Sequence, residues 1–320
     1  MDTWENKYKK IKELGSGTSS TCFLVQDLSG NDFVIKTCAM SDYSKWEQEC
    51  KREIEITSKL ADKTDRTYNI PLSELQGEVG SKYMLSSLIK GKELSRSKLN
   101  QLSEEEQTSI AKSLAQFMYQ LHSQYIKQNT GSEFSSNTAA FFHNNNYHDE
   151  KEKIYKHLSP NIQDSMNTIF EAFDKDINIG RIKSTCHNDL IKDNLLYDTD
   201  KKKLGIIDFG DVAENDIYSD FANLMKMGQL GDLFTIKVIN QYNKLQQKNG
   251  SNIHINAHSA KKYAIMKSFK SLKKIDKVKD EDKKIQLLKF GIYLKEYNDN
   301  KSSGLFKATN MSQNSNQNSL

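Results

Sequence analysis

The chain has 320 residues, enough for two lobes with substantial hydrophobic cores. Its 46 basic and 42 acidic residues nearly cancel, so no strong electrostatic field points to nucleic acid as a partner. A polar start, the lack of an apolar run of roughly 18 residues, and four scattered cysteines favour a cytoplasmic protein with reduced thiols and no membrane contact.

Three strands are predicted within residues 8–38, and a turn with two glycines joins the first two. The turn reads Leu-Gly-Ser-Gly-Thr-Ser-Ser. Because glycine lets backbone N–H groups approach phosphate oxygens, Gly15, Ser16, Gly17 and Thr18 are candidate nucleotide-binding residues. Glycine and serine also mark ordinary turns, and no Gly-Lys-Ser/Thr follows, so the pattern is not a Walker loop.

A helix is predicted over residues 45–60, because apolar side chains recur there at steps of three and four. Glu53 lies on this apolar face, and a buried carboxylate needs a partner. Lys36 ends the predicted strand 33–36 and is the natural partner. Glu49 is the alternative glutamate for the same role.

The middle of the chain alternates short strands and helices. Two more strands are predicted within residues 67–90, and a capping box at Ser103 opens a helix that ends at His122. We interpret His122 as a packed structural histidine. The Asn-rich residues 129–147 are predicted to form a surface loop, and residues 150–174 another helix.

The most informative stretch is Thr185–Asp211, which contains His-Asn-Asp and, after a lysine-rich turn, Ile-Ile-Asp-Phe-Gly-Asp. Phosphoryl transfer needs a carboxylate to orient and deprotonate the attacking hydroxyl, and oxygen ligands for magnesium. Asp189 suits the first task. Asn194 and Asp208 suit the second, because Mg²⁺ prefers hard oxygen ligands. A hairpin over residues 195–207 would bring Asp208 back beside Asn194.

The last third of the chain is predicted to be helical from residue 232 to 298. Residues 258–298 hold 12 lysines against five acidic residues. Such a lysine-rich segment is interpreted as a solvated face, and a patch for an anionic partner is the less favoured alternative. The polar residues 301–320 are predicted to form a disordered tail, because they carry too little apolar surface to fold.

These motifs resemble those of the aminoglycoside phosphotransferases and their relatives, which carry a His-Gly-Asp or His-Asn-Asp loop and an Ile-Asp-Phe-Gly-Asp strand end. The family is distantly related to protein kinases, which share the step from aspartate to asparagine. The resemblance implies an α+β, two-lobed protein-kinase-like fold. A small antiparallel-sheet N-lobe would occupy residues 1–89, and a mainly helical C-lobe residues 90–300.

The resemblance also implies a division of labour at the site. ATP or GTP would be the phosphate donor and Mg²⁺ the metal. Lys36 would grip the α- and β-phosphates, with Glu53 positioning it. The segment 86–89 would be a hinge whose backbone bonds the nucleotide base, which makes Ser87 and Ile89 candidate contacts.

Two acidic residues follow the strand end. In the family an Asp-Pro precedes an Asp-Leu-Ala or Asp-Phe-Ala helix start. Here Asp216 lacks the proline, and Asp220 matches the second acid. We interpret Asp220 as structural, because its carboxylate can bond the orphan amides of a helix start or brace the loop that carries Asp189.

The favoured acceptor is a hydroxyl of an aminoglycoside-like small molecule, and that acceptor would connect the protein with antibiotic resistance. A polycationic acceptor suits an acidic cleft. The acidic residues near the candidate loop are Asp193, Asp211, Glu214 and Asp216. The lysine-rich C-terminal segment counts against this acceptor.

Three alternatives stay open. A choline or ethanolamine kinase also carries Cys-His-Asn-Asp-Leu, but its Ile-Asp-Trp/Tyr-Glu-Tyr strand end is absent here. A non-catalytic kinase-like binding protein has no need of Lys36, Asp189, Asn194 and Asp208 together. A protein kinase is disfavoured because no Ala-Pro-Glu follows Asp208. No nucleic-acid partner is expected, and the sequence identifies no protein partner.

Overall fold

The computed structural model describes residues 4–78, 80–124, 146–178 and 182–306. These residues pack into two compact units. The first contains the chain up to Glu93 together with the later segment Asp193–Val212, and the second contains Leu94–Lys192 and the chain from Ala213 onward. The first unit is built on antiparallel sheet and the second mainly on helices, which agrees with the predicted fold class.

Eleven strands and nine α-helices are assigned within the described residues. The strands are β1 (Lys9–Ser16), β2 (Ser20–Gln26), β3 (Asp32–Cys38), β4 (Tyr68–Asn69), β5 (Ser73–Gln76), β6 (Tyr83–Ser87), β7 (Lys92–Glu93), β8 (Lys183–Cys186), β9 (Leu195–Asp198), β10 (Lys203–Ile206) and β11 (Ala213–Asp216). The helices are α1 (Tyr43–Ala61), α2 (Arg96–Leu99), α3 (Glu104–His122), α4 (Asn146–Tyr155), α5 (Pro160–Asn178), α6 (Tyr218–Met225), α7 (Asp232–Lys248), α8 (Ala257–Ser271) and α9 (Asp280–Ser302).

The first unit is organised around a five-stranded antiparallel sheet with the strand order β1-β2-β3-β6-β5. The three strands predicted at the start of the chain are confirmed as β1, β2 and β3. Successive side chains of β6 alternate between two apolar clusters, as expected for a strand covered on both faces. Tyr83 and Leu85 join the cluster of Trp4, Val25 and Ile35, whereas Met84 packs with Trp46 and Cys50 of α1.

A second sheet in the same unit has the order β4-β10-β9-β7. The predicted hairpin is confirmed as β9 and β10, with Leu195 opposite Ile206. Residues 67–90, predicted to hold two strands, hold three short ones, and the first of these pairs with β10 in parallel. Because both flanking strands of this sheet come from the first unit, the hairpin packs there despite its late position in the chain.

Gly91 lies just before β7 with φ 137°, a conformation that only glycine adopts without strain. A Cβ on Gly91 would lie 2.8 Å from the carbonyl carbon of Tyr197, a backbone atom of β9 that cannot turn aside. We therefore expect Gly91→Ala to lower the free energy of unfolding by about 3 kcal/mol in a denaturant titration. Gly30→Ala is the matched control.

Gly30 also has a positive φ, of 86°, but no described atom lies within 4 Å of its Cβ position. Gly30→Ala should therefore show only the backbone strain, about 1 kcal/mol. Equal losses for the two variants would show that the close approach of Gly91 to β9 has no energetic weight.

The second unit begins with the predicted capping box. The Ser103 hydroxyl accepts a hydrogen bond from the Glu106 N–H, and the Glu106 carboxylate accepts one from the Ser103 N–H. The apolar stripe of α3 is buried, and α3 packs against α7 while α6 packs against α8. Strands β8 and β11 form a two-stranded antiparallel sheet in which Cys186 faces Ala213.

The single helix predicted over residues 150–174 is wrong, because two helices, α4 and α5, share this region. Pro160 opens α5. Proline lacks an N–H and disfavours helical backbone in the residue before it, so it fits the first turn of a helix and not the interior. The Gln163 amide donates to the carbonyls of Tyr155 and Leu158, which satisfies the end of α4.

The prediction that the C-terminal lysines form a solvated face is wrong for α8, where Lys261 and Lys262 are buried. The Lys261 ammonium donates to Asp232 Oδ1 at 2.7 Å and lies 3.7 Å from the centroid of the Tyr293 ring. Burial lowers the pKa of Lys261, and Asp232 opposes that shift. A cation removed from water needs such partners, so this lysine belongs to the helix packing.

Three predictions concern the tail, the loop 129–147 and the boundary between the lobes. Helix α9 continues to Ser302, and the buried Phe306 stacks on His258 with ring centroids 5.6 Å apart, so the prediction of a disordered tail is wrong for its first residues, 301–306. The remainder of that tail and most of the predicted loop 129–147 lie outside the described residues. The predicted division after residue 89 stays a proposal. Among the helices that the structure describes, none has the length and apolarity to cross a membrane.

Candidate active site

One lysine and two carboxylates form a charged centre in the first unit. The Lys36 Nζ atom lies 3.0 Å from Glu53 Oε2 and 2.9 Å from Asp208 Oδ1. Burial by itself lowers the pKa of Lys36, but the two carboxylates outweigh burial and raise that pKa well above its usual value. Lys36 is therefore a cation at neutral pH, as the binding of an anionic phosphate requires.

The three residues come from three different elements. Lys36 lies in β3 opposite Met84 of β6, Glu53 lies on the buried face of α1, and Asp208 follows β10. The pairing of Lys36 with Glu53, which the apolar face of α1 predicted, is present, and Glu49 does not take this role. The Asp208 side chain is about half exposed, so it faces solvent as well as Lys36.

The backbone at Asp208 is strained. Its φ of 63° lies in the left-handed region, which costs a non-glycine residue about 1–2 kcal/mol. Just beyond it, Arg52 Nη2 donates to the Gly210 carbonyl at 2.9 Å and so ties the turn to α1. Arg52 was not among the predicted site residues, although its place next to Glu53 was a signal for it. Strained backbone held by its surroundings is typical of functional sites.

The hairpin brings Asn194 next to Asp208 along the backbone. Asn194 ends a short 3₁₀ turn, and its carbonyl accepts a hydrogen bond from the Ile207 N–H at 3.1 Å. Ile207 directly precedes Asp208, so both candidate metal ligands lie at the same end of the hairpin. One carboxylate and one carboxamide oxygen form a hard donor set, so the residues present fit Mg²⁺.

All four candidate nucleotide-binding residues are exposed: Gly15 and Ser16 end β1, and Gly17 and Thr18 lie in the turn to β2. The Gly17 N–H donates to the Ser20 carbonyl at 2.8 Å and closes the turn. Neither glycine has a positive φ, and no described atom lies within 4 Å of a Cβ built on Gly15. The local fold therefore does not require glycine here, which fits a backbone kept bare for a ligand.

Ser87 and Ile89, the predicted hinge contacts of the nucleotide base, both have partners within the protein. The Ser87 N–H donates to the Leu72 carbonyl, and the Ser87 hydroxyl accepts from the Leu72 N–H, both at 2.9 Å. The Ser87 N–H is therefore not available to a nucleotide base. Ile89 rests on Gly205 of β10, where a Cβ would overlap its Cγ2 methyl group. Gly205, which was not among the predicted site residues, leaves space for the Ile89 side chain because it has no Cβ.

Asp189 lies in the second unit, partly exposed, in the Asp189 loop (residues 187–191) that follows β8. The residue before it, Asn188, has φ 66°. Asp220 of α6 braces this strained loop, because its two carboxylate oxygens accept hydrogen bonds from the His187 and Asn188 N–H groups, both at 2.8 Å. The bracing predicted for Asp220 is thus present.

Asp220 is fully buried, and His122 lies between it and the Tyr242 hydroxyl. The His122 Nε2 atom lies 3.1 Å from Asp220 Oδ2, and the other ring nitrogen lies 3.0 Å from the Tyr242 hydroxyl. Burial raises the pKa of Asp220, but hydrogen bonds and charge from His122 and His187 outweigh burial and lower it. His122 is therefore a packed structural histidine, as predicted, that stabilises the charged brace.

Two asparagines complete the support of Asn188, and the sequence analysis gave neither a role. The Asn215 amide donates to Asn188 Oδ1, and the Asn223 amide donates to the Asn188 carbonyl, both at 2.6 Å. The signal for Asn223 was its position three residues after Asp220, which places the two side chains on one face of α6. Neighbouring elements therefore fix the backbone N–H, carbonyl and side chain of Asn188.

Replacing the carboxylate of Asp220 should lower the stability of the protein. In Asp220→Asn, an amide NH₂ group faces donors that a carboxylate oxygen accepted, so we expect the free energy of unfolding at pH 7 to fall by about 3 kcal/mol. The folded-state pKa of Asp220 lies below its usual 3.8, so its stabilisation is present above pH 3.8 and is lost as pH falls through the folded pKa. Denaturant titrations of both proteins at pH 7 and pH 3 test this. A gap between the two proteins that stays constant with pH would contradict it.

The acidic residues predicted to attract a cationic acceptor do not behave alike. Asp193, Asp211 and Glu214 are exposed. Asp216 is buried, and its Oδ1 accepts a hydrogen bond from the Tyr218 N–H at 3.0 Å. Asp216 thus holds the start of α6, and its proposed place in an acidic acceptor surface is wrong.

Comparisons with known proteins agree with this architecture. The family model described as "Phosphotransferase enzyme family" matches residues 10–249. Among solved structures, aminoglycoside phosphotransferase APH(2'')-Ib with ADP bound is 21% identical, with 91% of this chain and 94% of that chain covered and a TM-score of 0.58. The GDP and kanamycin complex of APH(2'')-IIIa is 18% identical, covers 90% and 93%, and has a TM-score of 0.66.

A more distant structure has the same fold. Macrolide 2'-phosphotransferase MphH from Brachybacterium faecium is 12% identical, with 87% of this chain and 91% of that chain covered and a TM-score of 0.57. At these identities the likeness to solved structures is one of fold.

Proposed function

The chain belongs to the phosphotransferase enzyme family, and from this premise we propose that it transfers the γ-phosphate of ATP or GTP to a hydroxyl of an aminoglycoside-like small molecule. The observation that carries the proposal is Lys36 bonded to two carboxylates. A strained loop braced at every polar backbone group of Asn188 supports it. A protein that only binds a nucleotide has no need of a braced loop that leads into Asp189.

Residues of the first unit hold the nucleotide in this proposal. The Lys36 ammonium donates to oxygens of the α- and β-phosphates, and Glu53 keeps Lys36 in place. The Gly17 N–H already bonds the Ser20 carbonyl, so it is the neighbouring backbone of the exposed segment 15–18, such as the Thr18 N–H, that approaches the phosphates. Asp208 and Asn194 would hold Mg²⁺, which when bound neutralises negative charge on the phosphates.

Asp189 orients the acceptor and takes its proton. The acceptor oxygen forms a bond to the γ-phosphorus while the bond from that phosphorus to the bridging oxygen breaks, and the hydroxyl proton passes to Asp189. The products are a nucleoside diphosphate and a phosphate monoester. The bracing of Asn188 supports this role, because a base must lie within hydrogen-bond reach of the proton that it accepts.

Charge favours a cationic acceptor. Asp193, Asp211 and Glu214 are exposed. In the lysine-rich segment counted against such an acceptor, Lys261 and Lys262 are buried, and most of the other lysines are exposed. The structures with kanamycin, gentamicin or streptomycin bound belong to proteins of this fold. These points favour an aminoglycoside over a neutral sugar.

A labelled-phosphate assay tests the proposal. The purified protein is incubated with Mg²⁺ and γ-labelled ATP or GTP, against separate panels of aminoglycosides, macrolides and choline-like amines. We expect label on an aminoglycoside hydroxyl, located by NMR of the product. Label on choline-like amines would select the alternative kinase class, and no label on any acceptor would overturn the proposal.

Resistance gives a second test. If an aminoglycoside is the acceptor, expression in a susceptible bacterium should raise the drug concentration needed to stop growth, and an Asp189→Asn variant should not. We place the reaction in the cytoplasm, where nucleoside triphosphates are supplied and where the four free cysteines would stay reduced.

A further inference from the structure

Lys267 of α8 has an ammonium group that is enclosed by three oxygen atoms of α6. It donates to the Ser219 carbonyl at 3.1 Å, to the Ser219 hydroxyl at 2.8 Å and to Asn223 Oδ1 at 2.8 Å. An ammonium has three N–H donors and no acceptor. The three hydrogen bonds therefore use the whole donor capacity of Lys267.

The orientation of the Asn223 amide follows from this contact. Because a charged lysine can only donate, the oxygen of the Asn223 amide must face Lys267. The amide NH₂ group then faces the other way, and it donates to the Asn188 carbonyl at 2.6 Å. Asn223 is buried, so a reversed amide would leave two acceptors opposed out of reach of bulk water.

The Asn188 carbonyl belongs to the peptide that joins Asn188 to Asp189. The Asn188 N–H is held by Asp220, and its side-chain oxygen by Asn215. The bond from Asn223 holds the carbonyl side of this left-handed residue. Reversal of the Asn223 amide would rotate the peptide that leads into Asp189.

The pKa of Lys267 lies near neutral pH. Desolvation of the ammonium and repulsion by Lys226 lower the pKa of Lys267 to about 7, against the opposite influence of Asp220, Cys186 and Asp189. These groups come from α6, its C-terminal end, β8 and the Asp189 loop. A neutral amine has one N–H fewer and a lone pair, so it no longer dictates the orientation of Asn223.

We propose that Lys267 is a positioning residue for phosphoryl transfer, which holds the Asn223 amide in the orientation that fixes the peptide leading into Asp189. This inference rests on the proposed function. A lysine that only packed α8 against α6 would change stability alone. A positioning lysine changes the rate of transfer and its dependence on pH.

Lys267→Met tests this by removing the ammonium while keeping an unbranched side chain of similar length up to Cε. We expect kcat at pH 6.5 to fall by about 30-fold, because a misplaced reacting group costs up to about 100-fold in rate, and we expect KM for the nucleotide to stay within about twofold. Lys274 is exposed just after α8, so Lys274→Met makes the same chemical change in solvent and should leave kcat unaltered.

The pH profile separates positioning from packing. In the wild type, kcat should fall as pH rises through about 7, where Lys267 loses its proton. Lys267→Met should lack this alkaline limb, whereas Lys274→Met should keep it. A profile of Lys267→Met that matches the wild type would overturn the proposal.

Asn223→Asp supplies a second variant. Its carboxylate still accepts from Lys267 but cannot donate to the Asn188 carbonyl, so kcat should fall at least as far as in Lys267→Met. Hydrogen exchange of the segment 187–190 gives a readout without an acceptor. Both variants should exchange faster there than the wild type, with α1 unchanged as the internal reference.

The outcomes are distinct. If the wild type transfers phosphate and Lys267→Met keeps its kcat, pH profile and exchange, the positioning role is wrong while the proposed function stands. If the wild type transfers phosphate to no acceptor, the proposed function fails. Hydrogen exchange at 187–190 then still decides whether Lys267 fixes the loop: unchanged exchange would rule that out.

Discussion

Asp189→Asn should abolish nearly all phosphoryl transfer. We expect kcat to fall by about 1000-fold, because a positioned general base contributes about 10²- to 10⁴-fold and an amide cannot accept the hydroxyl proton. The KM for the nucleotide should stay within about twofold, since Lys36, Glu53 and Asp208 all lie in the other unit. Steady-state kinetics with the best acceptor from the panel provides both values.

The matched control is Asp200→Asn. Asp200 lies exposed in the turn between β9 and β10, so the same chemical change there should leave kcat unaltered. The free energy of unfolding of both variants should match the wild type within about 0.5 kcal/mol. Wild-type kcat in Asp189→Asn would refute the assignment of the base.

Asp208→Asn is expected to have a comparable effect for a different reason. Loss of the charge weakens the hold on Mg²⁺, so kcat should fall by about 1000-fold and the Mg²⁺ concentration for half-maximal transfer should rise. The backbone should tolerate the change, because asparagine adopts the left-handed conformation of Asp208 readily. Lys36 keeps Glu53 as its partner.

Glu53→Gln separates the two tasks of this centre. It removes the other carboxylate from Lys36 without touching the candidate metal ligands, so it should raise KM for the nucleotide by about tenfold, the equivalent of 1.4 kcal/mol. The requirement for Mg²⁺ should not change. If Asp208→Asn and Glu53→Gln shift the Mg²⁺ requirement equally, Asp208 acts through Lys36 and not through the metal.

The residues that sequence reasoning found have signals within their own segments. Glu53 was recognisable because a glutamate on an apolar helix face needs a buried cation. Asn194 and Asp208 were recognisable because the strands between them have the length and turn of a hairpin. In each case a short-range pattern restricts the side chain to one environment.

The residues that were not predicted make contacts with residues that are distant in the sequence. Arg52 bonds a carbonyl beyond Asp208, and Lys267 bonds α6, so neither role is visible without the packing that brings those elements together. A lysine in a lysine-rich segment reads as solvated. Lys267 is withdrawn from solvent only because α8 packs against α6. The same reason explains Asp216, which the sequence placed on an acidic surface and the packing of α6 buries.

The three antiparallel N-terminal strands, the hairpin and the oxygen-bearing side chains of Asn194 and Asp208 at its ends follow from periodicity and turn chemistry, which operate over a few residues. The tertiary structure alone decided which unit the hairpin joins, which C-terminal lysines are buried, and which groups orient Asn188. Those outcomes depend on pairs of residues that are remote in the chain. A buried polar group is tolerated only where such a remote partner satisfies it.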